Sequence, residues 1–314
     1  MRVIISGASG LVGRALTERL KADGHEVVRL VRHPPNGEDE RQWSPGSEPL
    51  DPQTLADVDA LVNLSGAPIA NLPWTSSTRR EILDSRIETT GTLVAALRQL
   101  DGTGEGPKTL VNASAVGYYG DRPGETLDES AAPGAGFLAD VAQRWEGIAV
   151  TAPPQVRVVR VRTGIVLAPS GTPDFTKPRS VLSSLGVAGI LRLLTWLGVS
   201  GPLGTGRQVW PWITLRDEVG AIAHVLGSQV EGPVNLAAPA RTTAADLGRE
   251  LAEQMHRPYL LPVPRPVLTA VLGDAARDLL LADQYAVPVK LLEDGYRFQD
   301  TTVADGAAQT APQS

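Results

Sequence analysis

Residues 1–33 read MRVIISGASGLVGRALTERLKADGHEVVRLVRH, and this stretch decides the fold. Val3, Ile4 and Ile5 form a short β-branched run that ends in Gly7-Ala8-Ser9-Gly10-Leu11-Val12-Gly13. Leu11, Val12, Ala15, Leu16 and Leu20 then recur at helical spacing, Gly24 stands where a helix would stop, and a second apolar run covers Val27 to Val31. Strand, glycine turn, helix, strand is the unit that binds a dinucleotide. Its glycines have physical tasks. Gly7 permits a tight turn off the strand, Gly10 lets backbone N–H groups approach a pyrophosphate, and Gly13 lets the helix pack close to the sheet. The phosphates then meet unpaired N–H groups and the positive end of the helix dipole. Gly7, Ser9, Gly10, Leu11, Val12 and Gly13 are the expected phosphate-loop contacts.

An NAD site calls for an acidic residue about 20 positions past the glycines, to bind the ribose 2′-hydroxyl. Here the second strand ends in Val31-Arg32-His33, with no carboxylate. An arginine at that place pairs with a 2′-phosphate. The expected cofactor is therefore NADP(H), with Arg32 as its discriminating contact and Arg29 and His33 as helpers.

The 314 residues can bury a sizeable core, and a hydrophobic fraction of 42% is that of a globular chain. The net charge of −6 and the lack of a basic block argue against nucleic acid or an anionic membrane as partner. There is no cysteine, and His25, His33, His224 and His256 are scattered without ligand spacing, so no metal site is expected. The first residues already read as a core strand rather than a signal, and no run of about 18 uncharged apolar residues occurs. The most apolar stretch, 187–199, is interrupted by Arg192. A soluble cytoplasmic protein, monomer or homodimer, is expected.

Apolar runs at 60–64, 109–113 and 156–161 alternate with helical patterns at 79–100 and 137–150. This predicts an α/β fold: a Rossmann-type, doubly wound parallel sheet with a smaller, partly helical substrate and C-terminal region. Residues 1–168 form the expected NADP(H)-binding domain, with a returning sheet segment around 209–240. Residues 169–208 and 241–304 form the substrate side and a small C-terminal domain, with a second helical region over 258–298. The Gly-, Pro- and charge-rich segments 34–52 and 102–107 read as surface loops, and the polar tail 305–314 as disordered.

Ligands of such sheets bind beyond the carboxyl ends of the strands. Three strand-end loops stand out. In Asn63-Leu64-Ser65-Gly66-Ala67, Gly66 allows close approach to a ribose, and Asn63, Ser65 and Gly66 are expected on the cofactor. In Ser114-Ala115-Val116-Gly117-Tyr118-Tyr119-Gly120, Ser114 can hydrogen-bond a substrate oxygen, and Tyr118 and Tyr119 either donate a proton or pack. In Arg162-Thr163-Gly164-Ile165-Val166-Leu167, Arg162 either borders the nicotinamide or substrate, or forms an ion pair at the core edge. Trp74 walls a substrate pocket or joins the core, whereas Trp212 reads as core. Arg207 follows a glycine-rich turn and either meets a phosphate or carboxylate or is solvated.

The G-x-x-G-x-x-G spacing resembles that of the extended short-chain dehydrogenase/reductases. Further markers narrow the resemblance: Asn63-Leu64-Ser65-Gly66, Trp74 followed by Ser85-Arg86-Ile87, the Ser114–Gly120 loop, Phe137-Leu138-Ala139 and Trp145-Glu146. They continue in Gly204-Thr205-Gly206-Arg207-Gln208, Trp212-Ile213, Gly232–Pro239, Pro262-Val263-Pro264, Leu279–Ala282, Val287-Pro288, Leu291-Leu292 and Gly295-Tyr296-Arg297-Phe298. Over nearly its whole length the sequence resembles the atypical, sugar-nucleotide epimerase-like members known as epimerase family or YfcH-like proteins. These end in a small domain of unknown function. The resemblance implies a carbonyl or hydroxylated small-molecule substrate, such as a sugar nucleotide. Trp74, Arg86, Arg162 and Arg207 are the candidate residues for the substrate side of the site.

Working members of the superfamily use a Tyr-x-x-x-Lys pair, a proton-transferring tyrosine with its pKa lowered by the lysine. The matching helix, Phe137 to Glu146, holds neither residue. Two readings stay open. In one, the chain is an NADP(H)-dependent oxidoreductase or epimerase-like enzyme whose acid/base groups come from Ser114, Tyr118, Tyr119 or Glu129. In the other, it is a catalytically silent NADP(H)-binding sensor or partner-binding protein.

Overall fold

The computed structural model describes residues 1–169, 188–189, 191–198 and 200–310. Of the substrate-side segment expected over 169–208, residues 170–187, 190 and 199 lie outside the described residues. The chain opens with β1 (Arg2–Ser6), α1 (Leu11–Ala22) and β2 (Glu26–Val31). Next come β3 (Glu40–Gln42), β4 (Ala60–Asn63), α2 (Ser76–Gln99), β5 (Thr109–Ala115), β6 (Thr126–Leu127), α3 (Phe137–Ala149), β7 (Arg157–Thr163) and β8 (Ile165–Leu167). After the undescribed stretch follow β9 (Trp212–Thr214), α4 (Leu215–Gly227), β10 (Gly232–Leu236), α5 (Ala244–Gln254), α6 (Arg265–Leu272), β11 (Tyr285–Ala286), α7 (Val289–Glu293) and α8 (Val303–Ala308).

Seven strands pair in the order β10-β7-β5-β4-β1-β2-β3, every pair parallel. This is the doubly wound sheet expected from the sequence. The strand runs are almost continuously apolar because both faces are covered. Alternation sends Val3, Ile5, Val62 and Val111 to a core with Leu16 and Leu20 of α1 and Ile222 and Val225 of α4. It sends Ile4, Leu61 and Leu110 to the opposite core with Leu93, Val94 and Leu97 of α2. The strand order reverses between β1 and β4, which opens a crevice at their carboxyl ends.

A third core gathers Leu167, Trp210, Trp212, Leu247, Leu251 and Leu268. Trp212 is 1% exposed and donates its indole N–H to Thr242 Oγ1 at 2.9 Å, so it is a core residue, as its sequence context suggests. Two local readings need correction. The segment 34–52 contains β3, an edge strand whose Glu40 is 8% exposed and pairs with Arg29 of β2 at 3.1 Å. The ion pair supplies what a three-residue strand lacks in apolar content. The tail is ordered as far as residue 310: a capping box of Thr302 and Asp305 starts α8, and Gly306 packs against the Trp212 ring. Among the described residues, no helix is long and apolar enough to cross a membrane, and no cluster of acidic and histidine side chains could hold a metal ion.

Glu218, in the first turn of α4, is 2% exposed. Its Oε1 accepts the Thr163 hydroxyl at 2.7 Å, and its Oε2 has no partner. Burial pushes its carboxyl up to about 8. The folded state therefore holds this proton more tightly than the unfolded chain. The resulting stability is full at acid pH and is lost as pH rises toward the folded pKa, by about 1.4 kcal/mol per pH unit at most. Glu218→Gln removes the titration. Its melting temperature relative to the unmodified protein should rise from pH 5 to pH 8 and then level; a difference independent of pH would contradict the burial of a neutral carboxyl.

Candidate functional site

The crevice between β1 and β4 is bounded first by the turn from β1 into α1. Gly7 has φ +75°, and a Cβ there would lie 2.7 Å from the Leu64 backbone. A Cβ at Gly13 would stand 2.2 Å from the Gly7 carbonyl oxygen, so α1 approaches the turn more closely than any side chain allows. Gly10 begins the helix in extended conformation with no side-chain cap, and its N–H bonds to Gly7 O at 3.0 Å. The first turn of α1 carries no acidic residue. The helix thus starts with free N–H groups and no competing carboxylate, the arrangement that accepts a phosphate. Ser9, Gly10 and Leu11 are exposed at its mouth, with Val12 half-buried behind them.

At the end of β2, Arg32 is exposed and makes no hydrogen bond or ion pair among the described residues. Arg29 is not available as a helper: its guanidinium is held by Asp39 and Glu40, each at 3.1 Å. Among the described residues, His33 bonds only the neighbouring Pro34 carbonyl, at 2.8 Å.

The loop after β4 is held from below. Asn63 is fully buried: its Oδ1 accepts the Ser6 hydroxyl at 2.6 Å, and its Nδ2 donates to Thr90 Oγ1 at 2.9 Å and Asn112 Oδ1 at 2.7 Å. Trp145 of α3 donates to the same Thr90 hydroxyl at 2.8 Å. Asn63 therefore fixes the loop rather than facing the crevice, while half-buried Ser65 and exposed Gly66 line its rim. Arg86 of α2 lies beneath Gly66. It donates to the carbonyls of Ala67 at 3.0 Å and Ile82 at 2.9 Å and stacks 5.0 Å from the Trp145 ring. Burial pushes the Arg86 guanidinium down to about 10, and no carboxylate pairs with it among the described residues.

Ser114, Tyr118, Tyr119 and Arg162 come together at the carboxyl ends of β5 and β7, around a residue that had not been singled out for chemistry, Glu146. The Glu146 carboxylate accepts the Ser114 hydroxyl at 2.7 Å, a two-pronged contact from Arg162 at 2.8 and 3.0 Å, and Arg160 at 3.2 Å. Arg162 is 2% exposed, donates to the Tyr119 hydroxyl at 2.9 Å and lies 3.5 Å over the Tyr118 ring. The Tyr119 hydroxyl also faces Asn235 Oδ1 at 2.7 Å, and burial pushes this phenol up to about 12. Ser114 and Tyr119 are buried, and Tyr118 alone of the three candidates keeps exposure. Glu146 was legible in principle, since Ala139, Ala142, Trp145 and Ala149 place it on the buried stripe of α3.

Trp74 is half-buried, donates to Ile69 O at 2.9 Å and packs edge-on against Phe137 at 5.1 Å. Arg79 lies over the Phe137 ring at 4.4 Å and pairs with Asp274 at 2.6 Å, which ties α2 to the C-terminal region. The start of α3 has no cap of its own, and Asp278 supplies one by accepting the Leu138 N–H at 3.0 Å. Arg207 sits apart on an exposed turn between Gly206 and Gln208, with no side-chain partner among the described residues.

The sheet, the glycine turn and the strand-end loops define a dinucleotide-binding protein of the extended short-chain dehydrogenase/reductase type. The chain belongs to the NAD dependent epimerase/dehydratase family, whose model matches residues 3–237, and a domain of unknown function, DUF1731, matches 263–309. It is 39% identical over 99% of its length to epimerase family protein Mb2239 of Mycobacterium bovis, of which it covers 98%. It is 33% identical to human epimerase family protein SDR39U1, with 95% of each chain covered. The crystal structure of human SDR39U1 (isoform 2) with NADPH superposes with a TM-score of 0.84 at 30% identity over 98% of each chain. The UDP-glucose 4-epimerase of Thermotoga maritima, solved with UDP-glucose, shares the fold at a TM-score of 0.73 and 15% identity, covering 99% of this chain and 97% of its own.

The two glycines of α1 should fail differently. Gly13→Ala forces a Cβ into the Gly7 backbone and should cost about 1–3 kcal/mol. Gly10→Ala meets only Gly7 O at 3.3 Å and should cost under about 1 kcal/mol. Chemical denaturation of the two variants measures this; equal losses would contradict the close approach at Gly13.

Proposed function

We propose that this protein is an NADP(H)-dependent oxidoreductase or epimerase-like enzyme acting on a carbonyl or hydroxylated small molecule. The observation that carries the reading is the uncapped, acid-free start of α1 beside the unpaired Arg32. The NADPH bound to human SDR39U1 supports the same cofactor here. The pyrophosphate would sit on the N–H groups between Ser9 and Val12, the ribose beside Ser65 and Gly66, and the 2′-phosphate on Arg32. Residues 1–168 with 209–240 would hold the cofactor, and 169–208 with 241–304 would form the substrate side and the small C-terminal domain. Bound NADPH supplies the hydride. The protein must then orient the carbonyl and donate a proton.

Within the proposed chemistry the roles of the strand-end residues separate. The Ser114 hydroxyl is turned to Glu146, and Tyr119 serves the buried Arg162 network, so both act as positioning residues. Tyr118, half-buried under the Arg162 guanidinium, is the proposed proton donor. Arg86, a cation without a counter-charge beneath Gly66, is proposed on the substrate side, with Trp74 as a wall and Arg207 as an outer contact. A second reading, a silent NADP(H)-binding sensor, is favoured by α3, whose sequence FLADVAQRWEGIA contains neither tyrosine nor lysine.

NADPH should bind about tenfold or more tightly than NADH, because a hydrogen bond to a charged group contributes about 1.5–3 kcal/mol. Arg32→Ala should erase most of that ratio in calorimetry. Equal affinities in the unmodified protein would overturn the assignment. With any carbonyl compound that oxidises bound NADPH, Tyr118→Phe should lower kcat by about 10² while NADPH affinity is kept. Full turnover in that variant would place the donor elsewhere, and NADPH binding with no turnover across a carbonyl panel would favour the sensor.

A further inference from the structure

The chain has five asparagines, and their amides are not equally placed. Asn63, Asn112 and Asn235 are fully buried with their amide N–H groups donated: Asn63 to Thr90 and Asn112, Asn112 to the Ala113 carbonyl, and Asn235 to the Leu127 and Val287 carbonyls. Asn71 is half-buried and is followed by the branched Leu72. Asn36, in the loop between β2 and β3, differs on every count. It is exposed, its side chain has no partner among the described residues, and the next residue is Gly37. The turn that carries it is fixed through the backbone. The Asn36 N–H donates to Glu40 Oε2 at 2.8 Å, and the Gly37 carbonyl accepts the Glu40 N–H at 3.1 Å. Glu40 is itself held by Arg29. The Gly37 N–H, by contrast, has no acceptor among the described residues.

A free side-chain amide next to a free backbone nitrogen is open to ring closure, and glycine has no Cβ to screen that nitrogen. The Gly37 nitrogen attacks Asn36 Cγ, the Cγ–Nδ2 bond breaks, and the side-chain nitrogen leaves as ammonia with the proton that Gly37 gives up. Water then opens the cyclic imide at either carbonyl, which leaves aspartate or isoaspartate. One neutral amide becomes one carboxylate, and water is the only co-reactant. The new charge has few places to go. Asp39 already engages Arg29 and Lys21, and Arg41 is held by Asp57. The nearest cation along the chain without a partner is Arg32, across the stiff pair Pro34-Pro35. We propose that Asn36 is a site of spontaneous deamidation, and that the carboxylate formed there competes with the cofactor's 2′-phosphate for Arg32. The protein would thus lose its preference for NADPH as it ages. That consequence rests on the assignment of Arg32 to the 2′-phosphate; the ring closure does not.

The test is incubation of the full-length protein at neutral and mildly alkaline pH, followed by peptide mass spectrometry that separates asparagine, aspartate and isoaspartate. Asn36 should convert ahead of the other four asparagines, to both products, and faster at the alkaline pH. A Cβ at Gly37 would meet only Asp39 Oδ1, at 3.4 Å, so Gly37→Ala is accommodated; it should slow the conversion. Calorimetry then reads the consequence. Asn36→Asp should weaken NADPH by about twofold or more, the effect of one added charge across solvent, and leave NADH unchanged. Asn36→Gln should bind both cofactors as the unmodified protein does. Survival of Asn36 while another asparagine converts, or an unchanged rate in Gly37→Ala, would overturn the site. An Asn36→Asp variant that keeps the full NADPH preference would overturn the competition. Freshly prepared unmodified protein is titrated first with both cofactors, so a failure of the Arg32 assignment is seen before ageing begins and is told apart from a failure at Asn36.

Discussion

The arrangement depends on how closely α1 approaches the turn that leaves β1. With a position for Cβ at Gly13 only 2.2 Å from the Gly7 carbonyl, the helix is set down directly on the end of the strand. That contact aims the first N–H groups of α1 into the crevice between β1 and β4. Gly10, at the cap position, has no side chain to engage them. Orphan N–H groups at a helix start are ordinarily satisfied by a cap or by water. Here they are left for an anion, and the unpaired Arg32 extends the same preference for negative charge to the end of β2.

The polar groups of the other half of the site are organised around a buried ion pair. Glu146 and Arg162 are both nearly inaccessible, and between them they engage Ser114, Tyr119, Tyr118 and Arg160. Such a pair contributes little net stability, but removal of one member leaves the other charged and buried, at a cost of about 3–5 kcal/mol. Its value is geometric: it locks the ends of β5 and β7 against α3. Side chains that resemble a catalytic set in sequence are thereby used to hold the loop, and the half-buried ring of Tyr118 is what the loop presents.

The first βαβ unit was legible in the sequence because its determinants are local. The glycine spacing, the helical stripe and the strand run all fall within 33 consecutive residues, and the parallel sheet follows from their repetition. The same holds for Arg32, whose freedom follows from the lack of any acid beside it. What was not legible depends on partners far away in sequence. Arg29 looks as available as Arg32 until β3 brings Asp39 and Glu40 to it. Tyr119 looks like a donor until Asn235, 116 positions later, covers its hydroxyl. The carboxylate that caps α3 comes from Asp278, 140 positions beyond Leu138. The order at 303–308 did have a local signal, the Thr302–Asp305 capping box, masked by small, polar composition.

The central claim is that α1 and Arg32 together form a site for a dinucleotide carrying a 2′-phosphate. A crystal structure of the protein with NADPH tests it most directly. The account predicts the pyrophosphate on the backbone N–H groups between Ser9 and Val12, and the 2′-phosphate within hydrogen-bond distance of the Arg32 guanidinium. A cofactor bound with its 2′-phosphate directed away from Arg32, or with its pyrophosphate off the start of α1, would contradict it.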